Sequence, residues 1–141
     1  MTVVSPRPIS SGVVDVSAEL PRRAADLAEL LSSNAARADA DRRIPQENID
    51  ALAAAGLFKL AVPRRLGGHE VDFATFLKVT STLARSCGST AWVATLINVG
   101  GWLVGLYPDQ AQREVFEADP EARVCGVIAP NATSRAVDGG W

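Results

Sequence analysis

The longest stretch without a charged side chain, residues 86–108, places the strongest constraint on how this chain can fold. It lies between Arg85 and Asp109 and ends at Pro108, a residue that stops helices. With Ser89 as N-cap, the stretch predicts one helix with apolar residues on two opposite sides. One side holds Trp92, Leu96, Val99, Leu103 and Leu106, and the other holds Ala91, Ala94, Ile97, Gly101 and Val104. Such a helix is buried nearly all round, in a protein interior or in a bilayer.

The length of the apolar part, residues 91–107, favours a protein interior over a bilayer. A rise of about 1.5 Å per residue gives roughly 25 Å, against a hydrocarbon core of about 30 Å. Thr95, Asn98 and three glycines weaken insertion, and no Lys or Arg cluster adjoins either end. We therefore expect a central core helix. The glycines at 100, 101 and 105 would let other backbone, or a flat ligand, approach closely.

Charge and cysteine content exclude several classes of function. A net charge of −2 over 141 residues gives no electrostatic basis for binding nucleic acid or an anionic membrane. Cys87 and Cys125 are far apart and form no CxxC pattern, so we expect no disulfide and no metal site. Two ordinary thiols fit a reducing cytoplasm, and the N-terminal residues lack the pattern of a secretory signal.

Apolar spacing and capping residues predict about five antiparallel helices. The first is expected from Leu20 to Arg42, with Pro21 in its first turn. The second opens at Pro45 and closes before Gly56. Asp72 caps the third helix and Gly88 ends it. The fourth is the uncharged helix described above. The fifth starts near Pro108 and ends at Asp119-Pro120. The expected inner face of the third helix is Phe73, Phe76, Leu77, Thr80 and Leu83.

The pattern after residue 121 changes from helical to β-like. Residues 123–129 and 135–137 predict strands, separated by a polar loop, and Asp138-Gly139-Gly140 is a turn signal. Because the return strand is missing apart from Trp141, we expect a chain cut inside a β region. The predicted organisation is a flexible arm over 1–19, a helical domain over 20–121 and the start of a truncated β domain over 122–141.

No self-contained catalytic motif occurs in the sequence. There is no G-x-S-x-G, phosphate-binding loop, G-x-G-x-x-G or H-E-x-x-H pattern. The single histidine, His69, lies in a Gly67-Gly68-His69-Glu70 loop and is expected to be a surface residue.

Five motifs in order nevertheless resemble a known family. They are Pro45-x-x-x-Ile49-x-x-Leu52-x-x-Ala55-Gly56-Leu57-Phe58, Val62-Pro63-x-x-x-Gly67-Gly68, Leu83-Ala84-Arg85-Ser86-Cys87-Gly88-Ser89-Thr90-Ala91-Trp92, Ala129-Pro130-Asn131-Ala132 and Val137-Asp138-Gly139-Gly140-Trp141. Their order resembles the N-terminal half of the acyl-CoA dehydrogenase fold, and within it the flavin-dependent monooxygenases of two-component systems. The resemblance implies a mainly α fold, in which the helical N-terminal domain precedes the first strands of a middle β domain.

The resemblance also implies an activity and its partners. Members use reduced flavin, FMN or FAD, usually supplied by a separate flavin reductase. The flavin reacts with O₂ to give a C4a-hydroperoxide that hydroxylates a phenolic or polycyclic substrate. Family members are commonly tetramers. The later flavin-binding segments and C-terminal catalytic residues of the family are absent here, so we expect residues 1–141 alone to bind flavin poorly.

Site residues carried over from the resemblance fall into two groups. The loop after the first strand would contact the flavin through Ile128, Ala129, Asn131 and Ala132, with the Asn131 amide hydrogen-bonding the flavin peroxide. The alternative for Asn131 is a turn asparagine that bonds its own backbone. Trp92 and Asn98 are candidates for the substrate side, although core packing is the favoured interpretation for Trp92.

Two other functions remain open at this point. One is an acyl-CoA dehydrogenase that oxidises the CH–CH bond of an acyl thioester. The other is a non-catalytic helical interaction module, or weak membrane anchor, built on residues 86–108.

Overall fold

The computed structural model describes residues 16–126, 129 and 133–140, and their regular structure is helical. The helices are α1 (Val16–Asp26), α2 (Ala28–Ser33), α3 (Ala35–Ala40), α4 (Gln46–Ala54), α5 (Phe73–Ser86), α6 (Gly88–Val104) and α7 (Asp109–Phe116). A short 3-10 turn, Arg64–Leu66, lies between α4 and α5. α5 packs against α1, α2 and α6, and α6 also contacts α3 and α7. The mainly α fold class is confirmed.

The first predicted helix is divided into α1, α2 and α3. It is already helical at Val16, the first described residue, so Pro21 lies inside the helix rather than in its first turn. Leu27 and Asn34 interrupt it with ψ angles of −2° and −6°. Hydrogen bonds from Leu31 N to Leu27 O at 3.0 Å, and from Ala38 N to Asn34 O at 2.9 Å, continue the helical course. The three segments therefore follow one another as an interrupted rod.

Local capping signals are confirmed at α4, α5 and α7. Pro45 and Pro108 precede the first residues of α4 and α7, and Gly56 adopts a φ of +73° after α4. The Asp72 carboxylate accepts from Thr75 N at 2.7 Å and from Thr75 Oγ1 at 3.1 Å. These signals are local, because each depends on the backbone geometry of one turn.

The predicted inner face of α5 is correct for Leu83 and Phe76, which pack in or against the core, but wrong for Phe73 and Leu77. Phe73 and Leu77 are 73% and 47% exposed, whereas Thr75, Val79 and Leu83 are buried against the core. Because the Asp72 cap satisfies both hydrogen-bonding groups of Thr75, that residue can be buried at little cost.

The junction between α5 and α6 also differs from the prediction. α5 ends at Ser86, and Cys87 breaks the helix with extended backbone, φ −157° and ψ 108°. α6 then starts at Gly88, so Ser89 lies within its first turn and does not cap it.

The core lies between α1, α2, α4, α5 and one side of α6. Its largest fully buried apolar side chains are Leu20, Leu31, Leu52, Leu57, Leu60, Val79 and Leu83. The predicted burial of α6 all round is correct on one side only. Ala91, Ala94, Gly101 and Val104 are buried, while Trp92 and Leu106 are each 64% exposed.

The predicted strands are not formed in the described residues. Residues 123–126 have no regular structure, and Val137 and Gly140 form one isolated antiparallel bridge. Their backbone hydrogen bonds are 2.9 Å and 3.2 Å, and Gly139 between them has a φ of +86°. The Asp-Gly turn is therefore confirmed. A strand requires a neighbour that is hydrogen-bonded along its length, and the described part of this region offers only the Val137–Gly140 pair.

Candidate functional site

Large exposed apolar side chains of the described residues are concentrated on α6 and the turn after it. We call the surface that they form there the α6 face, and it consists of Trp92, Leu96, Val99, Trp102, Leu103 and Leu106. The whole stretch from residue 86 to 108 lacks charge, so no charged side chain of α6 interrupts this surface. Large exposed apolar patches mark sites for ligands or partner surfaces. The α6 face is thus the first candidate for function.

An apolar groove borders the α6 face where α5 begins. Its volume is about 350 Å³, and it is lined by Ala61, Val71, Phe73, Phe76, Val99 and Trp102. The rings of Phe73 and Phe76 are stacked, with centroids 6.3 Å apart and planes 11° from parallel. Small-molecule sites are commonly concave and apolar, with volumes of about 300–1,000 Å³. The groove has the size and lining for a neutral ring.

Two glycines of α6, and Gly105 directly after it, lie close against other segments of the protein. A Cβ on Gly100 would overlap the carbonyl oxygen of Val124, and one on Gly101 would lie 2.7 Å from Val62 Cγ2. On Gly105 it would lie 2.9 Å from Pro63 Cγ. We expected either other backbone or a flat ligand to approach these glycines. The structure shows that other segments of the protein occupy the space beside them. The glycines hold residues 62–63 and 124 against α6.

Trp92 projects from α6 into solvent. Its 64% exposure shows that the favoured core-packing interpretation is wrong. A contact between Trp92 and a substrate stays a prediction.

Asn98 lies on the opposite, fully buried side of α6. Its Oδ1 accepts from Leu60 N at 2.7 Å, and its Nδ2 donates to Leu57 O at 2.8 Å and Ala94 O at 2.9 Å. These bonds join the loop after α4 to the middle of α6. Sequence reasoning missed this role, although an asparagine inside an apolar helix was a signal for it. A role of Asn98 in a substrate pocket stays a prediction.

A second buried polar chain links three segments. Asn34 Nδ2 donates to Asn48 Oδ1 at 2.7 Å, and Asn48 Nδ2 donates to Thr90 Oγ1 at 3.3 Å. Thr90 Oγ1 donates in turn to the buried Cys87 Sγ at 3.2 Å. Because each member is buried and partnered, this chain fixes the junction of α2 and α3 against α4 and the start of α6.

His69 is half-buried rather than a freely exposed surface residue. Burial lowers the pKa of its imidazole, and the positive charges of Arg23 and Lys59 act in the same direction. A backbone hydrogen bond with Gly56 opposes them. His69 is not among the residues that line the apolar groove between α5 and α6, which we call the α6 groove.

The residues predicted to contact flavin are only partly described. Ala129 is exposed, whereas Ile128, Asn131 and Ala132 lie outside the described residues. Their contacts therefore stay predictions. Among the described ranges, no group of three or more His, Cys, Asp or Glu side chains is placed to hold a metal ion. No helix within those same ranges is both long and apolar enough to cross a bilayer.

A family model and the similar curated proteins point to the same protein family. Residues 19–117 match the model of the acyl-CoA dehydrogenase N-terminal domain. The chain is 37% identical, over 84% of its length, to the oxygenase component of an FADH(2)-dependent resorcinol hydroxylase from Rhizobium sp. (strain MTP-10005). It is 40% identical, over 71% of its length, to HsaA of Mycobacterium tuberculosis, the oxygenase subunit of a flavin-dependent monooxygenase.

A solved structure supports the same relationship. XiaF from Streptomyces sp., solved in complex with FADH2 and glycerol, matches with a TM-score of 0.74 and 29% identity. The match covers 83% of this chain and 30% of that one. The chain likewise spans 29% and 25% of the lengths of the two curated relatives.

Proposed function

The chain belongs to the acyl-CoA dehydrogenase N-terminal domain family, and on this basis we propose that it forms the N-terminal part of a two-component flavin-dependent monooxygenase. In the proposed enzyme it acts as part of the oxygenase component, with a separate flavin reductase as partner and a phenolic or polycyclic small molecule as substrate. The curated relatives support this proposal by their names and identities. They do not favour an acyl-CoA dehydrogenase or an interaction module.

The α6 face is the structural observation that carries the proposal. When bound, a reduced flavin supplies the chemistry that activates O₂ and transfers one oxygen atom to the substrate. Such chemistry requires a wall that keeps water away. Trp92, Leu96 and Val99 provide an uncharged, apolar wall on one rigid helix. The described residues therefore fit the apolar edge of a flat ring, and their part is to exclude water and orient the ring.

Polar contacts to the cofactor are assigned to the segment after Val124. In the proposed site, the Asn131 amide donates a hydrogen bond to the flavin, and Ile128, Ala129 and Ala132 contact it. Support comes from the resemblance of this segment to the family and from the packing of Val124 against Gly100, which starts the segment beside α6. A cytoplasmic, tetrameric enzyme remains part of the proposal.

The test supplies the full-length protein with reduced FMN or FAD from a separate reductase. We expect O₂ consumption coupled to hydroxylation of a phenol, and no product without reduced flavin. Reduction of bound flavin by an acyl-CoA, with no O₂-dependent product, would overturn the proposal in favour of a dehydrogenase.

Placing a charged side chain on the α6 face tests whether this face is part of the site. Val99→Glu is expected to lower product yield and raise hydrogen peroxide release, because a carboxylate draws water to the wall. Ser81→Glu is the matched control, since it places the same charge on an exposed position of α5. Equal coupling in the two variants would remove the α6 face from the site.

A further inference from the structure

A second groove, at the start of α6, differs from the α6 groove because arginines line it. Its volume is about 580 Å³, and it lies between the end of α3 and the first turns of α6. The residues that give it chemical character are Asp39, Arg42, Arg43, Ser89 and Trp92. None of these side chains has a function in the sections above except Trp92.

The two arginines of this groove lack ionic partners among the described residues. Neither Arg42 nor Arg43 forms an ion pair or a side-chain hydrogen bond there, whereas the neighbouring Arg37 pairs with Glu47 at 2.7 Å. Asp39 is the single carboxylate-bearing residue in the lining, so the residues around the groove carry two positive charges and one negative charge. A guanidinium is a planar donor that suits carboxylates, and adjacent arginines commonly recognise anions.

The backbone supports this placement of the arginine pair. Arg42 adopts a φ of +52°, which is uncommon for a residue with a Cβ. The Arg42 and Arg43 amides donate to Asp39 O at 3.3 Å and Ala38 O at 3.2 Å. This turn therefore presents both arginines at the end of α3 from a backbone that is itself hydrogen-bonded.

An aromatic surface lies on the other wall of the groove. Trp92 lines this wall and is 64% exposed overall, so its indole offers apolar area on which a ring can stack. The first turn of α6, which includes Ser89, has no side-chain cap, and its amides add to the positive potential that the arginines create.

We propose that this groove binds an aromatic anion, with its carboxylate between Arg42 and Arg43 and its ring against Trp92. The inference uses neither the flavin nor the α6 groove. It shares Trp92 with the α6 face of the proposed enzyme, but its binding test requires neither flavin nor monooxygenase activity, so the failure of one proposal can be told from the failure of the other.

Calorimetric titration of the chain with phenylacetate tests the proposal. We expect saturable binding that weakens as salt is added, because the arginines are exposed and their charges are screened. Phenylacetamide has the same ring without the charge, and inorganic phosphate has charge without the ring. Both should bind at least about tenfold more weakly, since each loses one of the two contacts.

Variants locate the site. Arg42→Gln and Arg43→Gln should each weaken phenylacetate binding about tenfold, the effect of losing one charged hydrogen bond. Stacking on Trp92 should also change the tryptophan fluorescence during the titration, and Trp92→Leu should both weaken binding and remove that change. Arg37→Gln is the control, because this exposed arginine of α3 is paired with Glu47 and does not line the groove.

Three results would overturn the proposal: no saturable binding, equal binding of phenylacetate and phenylacetamide, or equal losses in Arg37→Gln and the groove variants. Phosphate binding as tight as that of phenylacetate would overturn the aromatic part. Circular dichroism establishes that each variant is folded before titration. The salt dependence and the comparison of phenylacetate with phenylacetamide use the chain without substitutions. They therefore test the proposed binding even where a variant fails to fold.

Discussion

Asn98 Oδ1 accepts the backbone N–H of Leu60 at 2.7 Å and thereby joins two segments 38 residues apart. Replacement by alanine would leave that N–H, and the carbonyl of Leu57, buried without a partner. We expect Asn98→Ala to reduce the free energy of unfolding by at least about 2 kcal/mol. Urea unfolding monitored by circular dichroism measures this loss. Thr82→Ala, which removes only an exposed bond within α5, should change it by less than about 0.5 kcal/mol.

Gly100 should tolerate no side chain, although alanine normally stabilises a helix. Its added Cβ would overlap the Val124 carbonyl, so we expect Gly100→Ala to destabilise the fold by about 1–3 kcal/mol. Gly88 starts the same helix with nothing within 4 Å of the equivalent Cβ. Gly88→Ala should leave stability unchanged or raise it by up to about 1 kcal/mol. Equal effects in the two variants would show that Val124 does not pack on α6.

Asp72 should make stability depend on acid pH. Hydrogen bonds from the Thr75 backbone and hydroxyl lower the pKa of its carboxyl below 3.8. Because the folded state favours the ionised form, its contribution is present above pH 3.8 and is lost as pH falls through the lowered pKa. Thermal melts across this range should show a smaller acid loss in Asp72→Asn, which keeps an acceptor for Thr75 but cannot ionise. An unchanged pH profile would exclude the cap as its source.

His69 should oppose folding when it is protonated. Burial lowers the pKa of its imidazole below 6.5, so the folded state favours the neutral form. Stability is therefore complete above pH 6.5 and falls as pH drops through 6.5 toward the lowered pKa. NMR titration of this single histidine measures the pKa directly. His69→Gln should flatten the stability profile there, and a pKa at or above 6.5 would contradict the prediction.

A polar substitution should change the stability of the fold little on the exposed side of α6 and severely on its buried side. Leu103→Gln lies on the α6 face and should change the free energy of unfolding by less than about 1 kcal/mol. Ala94→Asp would bury a carboxylate among apolar side chains, and we expect it to prevent folding. Binding of an apolar fluorescent dye should fall in Leu103→Gln, because that dye binds exposed apolar surface. Severe unfolding of Leu103→Gln would show that the α6 face is covered.

Features that depend on one turn of backbone were predicted from the sequence. Pro45, Gly56, Asp72 and Pro108 mark helix ends where the structure has them, because capping and φ restrictions act within a few residues. The family was recognised in another way, by the resemblance of five motifs in order, and the match over residues 19–117 confirms it.

Features that depend on packing partners were not predicted. Apolar periodicity placed Phe73 and Leu77 inward, whereas the core takes Thr75 and Val79. Hydrophobicity alone could not tell which side of α6 meets the rest of this chain, since both sides are apolar. The hydrogen bonds of Asn98 and the chain from Asn34 to Cys87 join residues distant in sequence, and no spacing rule predicts such pairs.

The expectation that α6 would be shielded on every side is wrong for one side, and residues 123–126 form no sheet beside it. The flavoprotein assignment depends on neither of these two features. That assignment depends on the sequence and structural relatives, and the α6 face supplies the physical argument for where their shared chemistry would lie.

The unequal surroundings of the two thiols give the chain one selective attachment point. Cys87 is enclosed and accepts a hydrogen bond from Thr90, whereas Cys125 is exposed one residue beyond the Val124 contact with Gly100. A maleimide spectroscopic reporter should therefore modify position 125 while the folded state protects position 87. The sequence thus allows the contact of the segment around Val124 with α6 to be followed in real time.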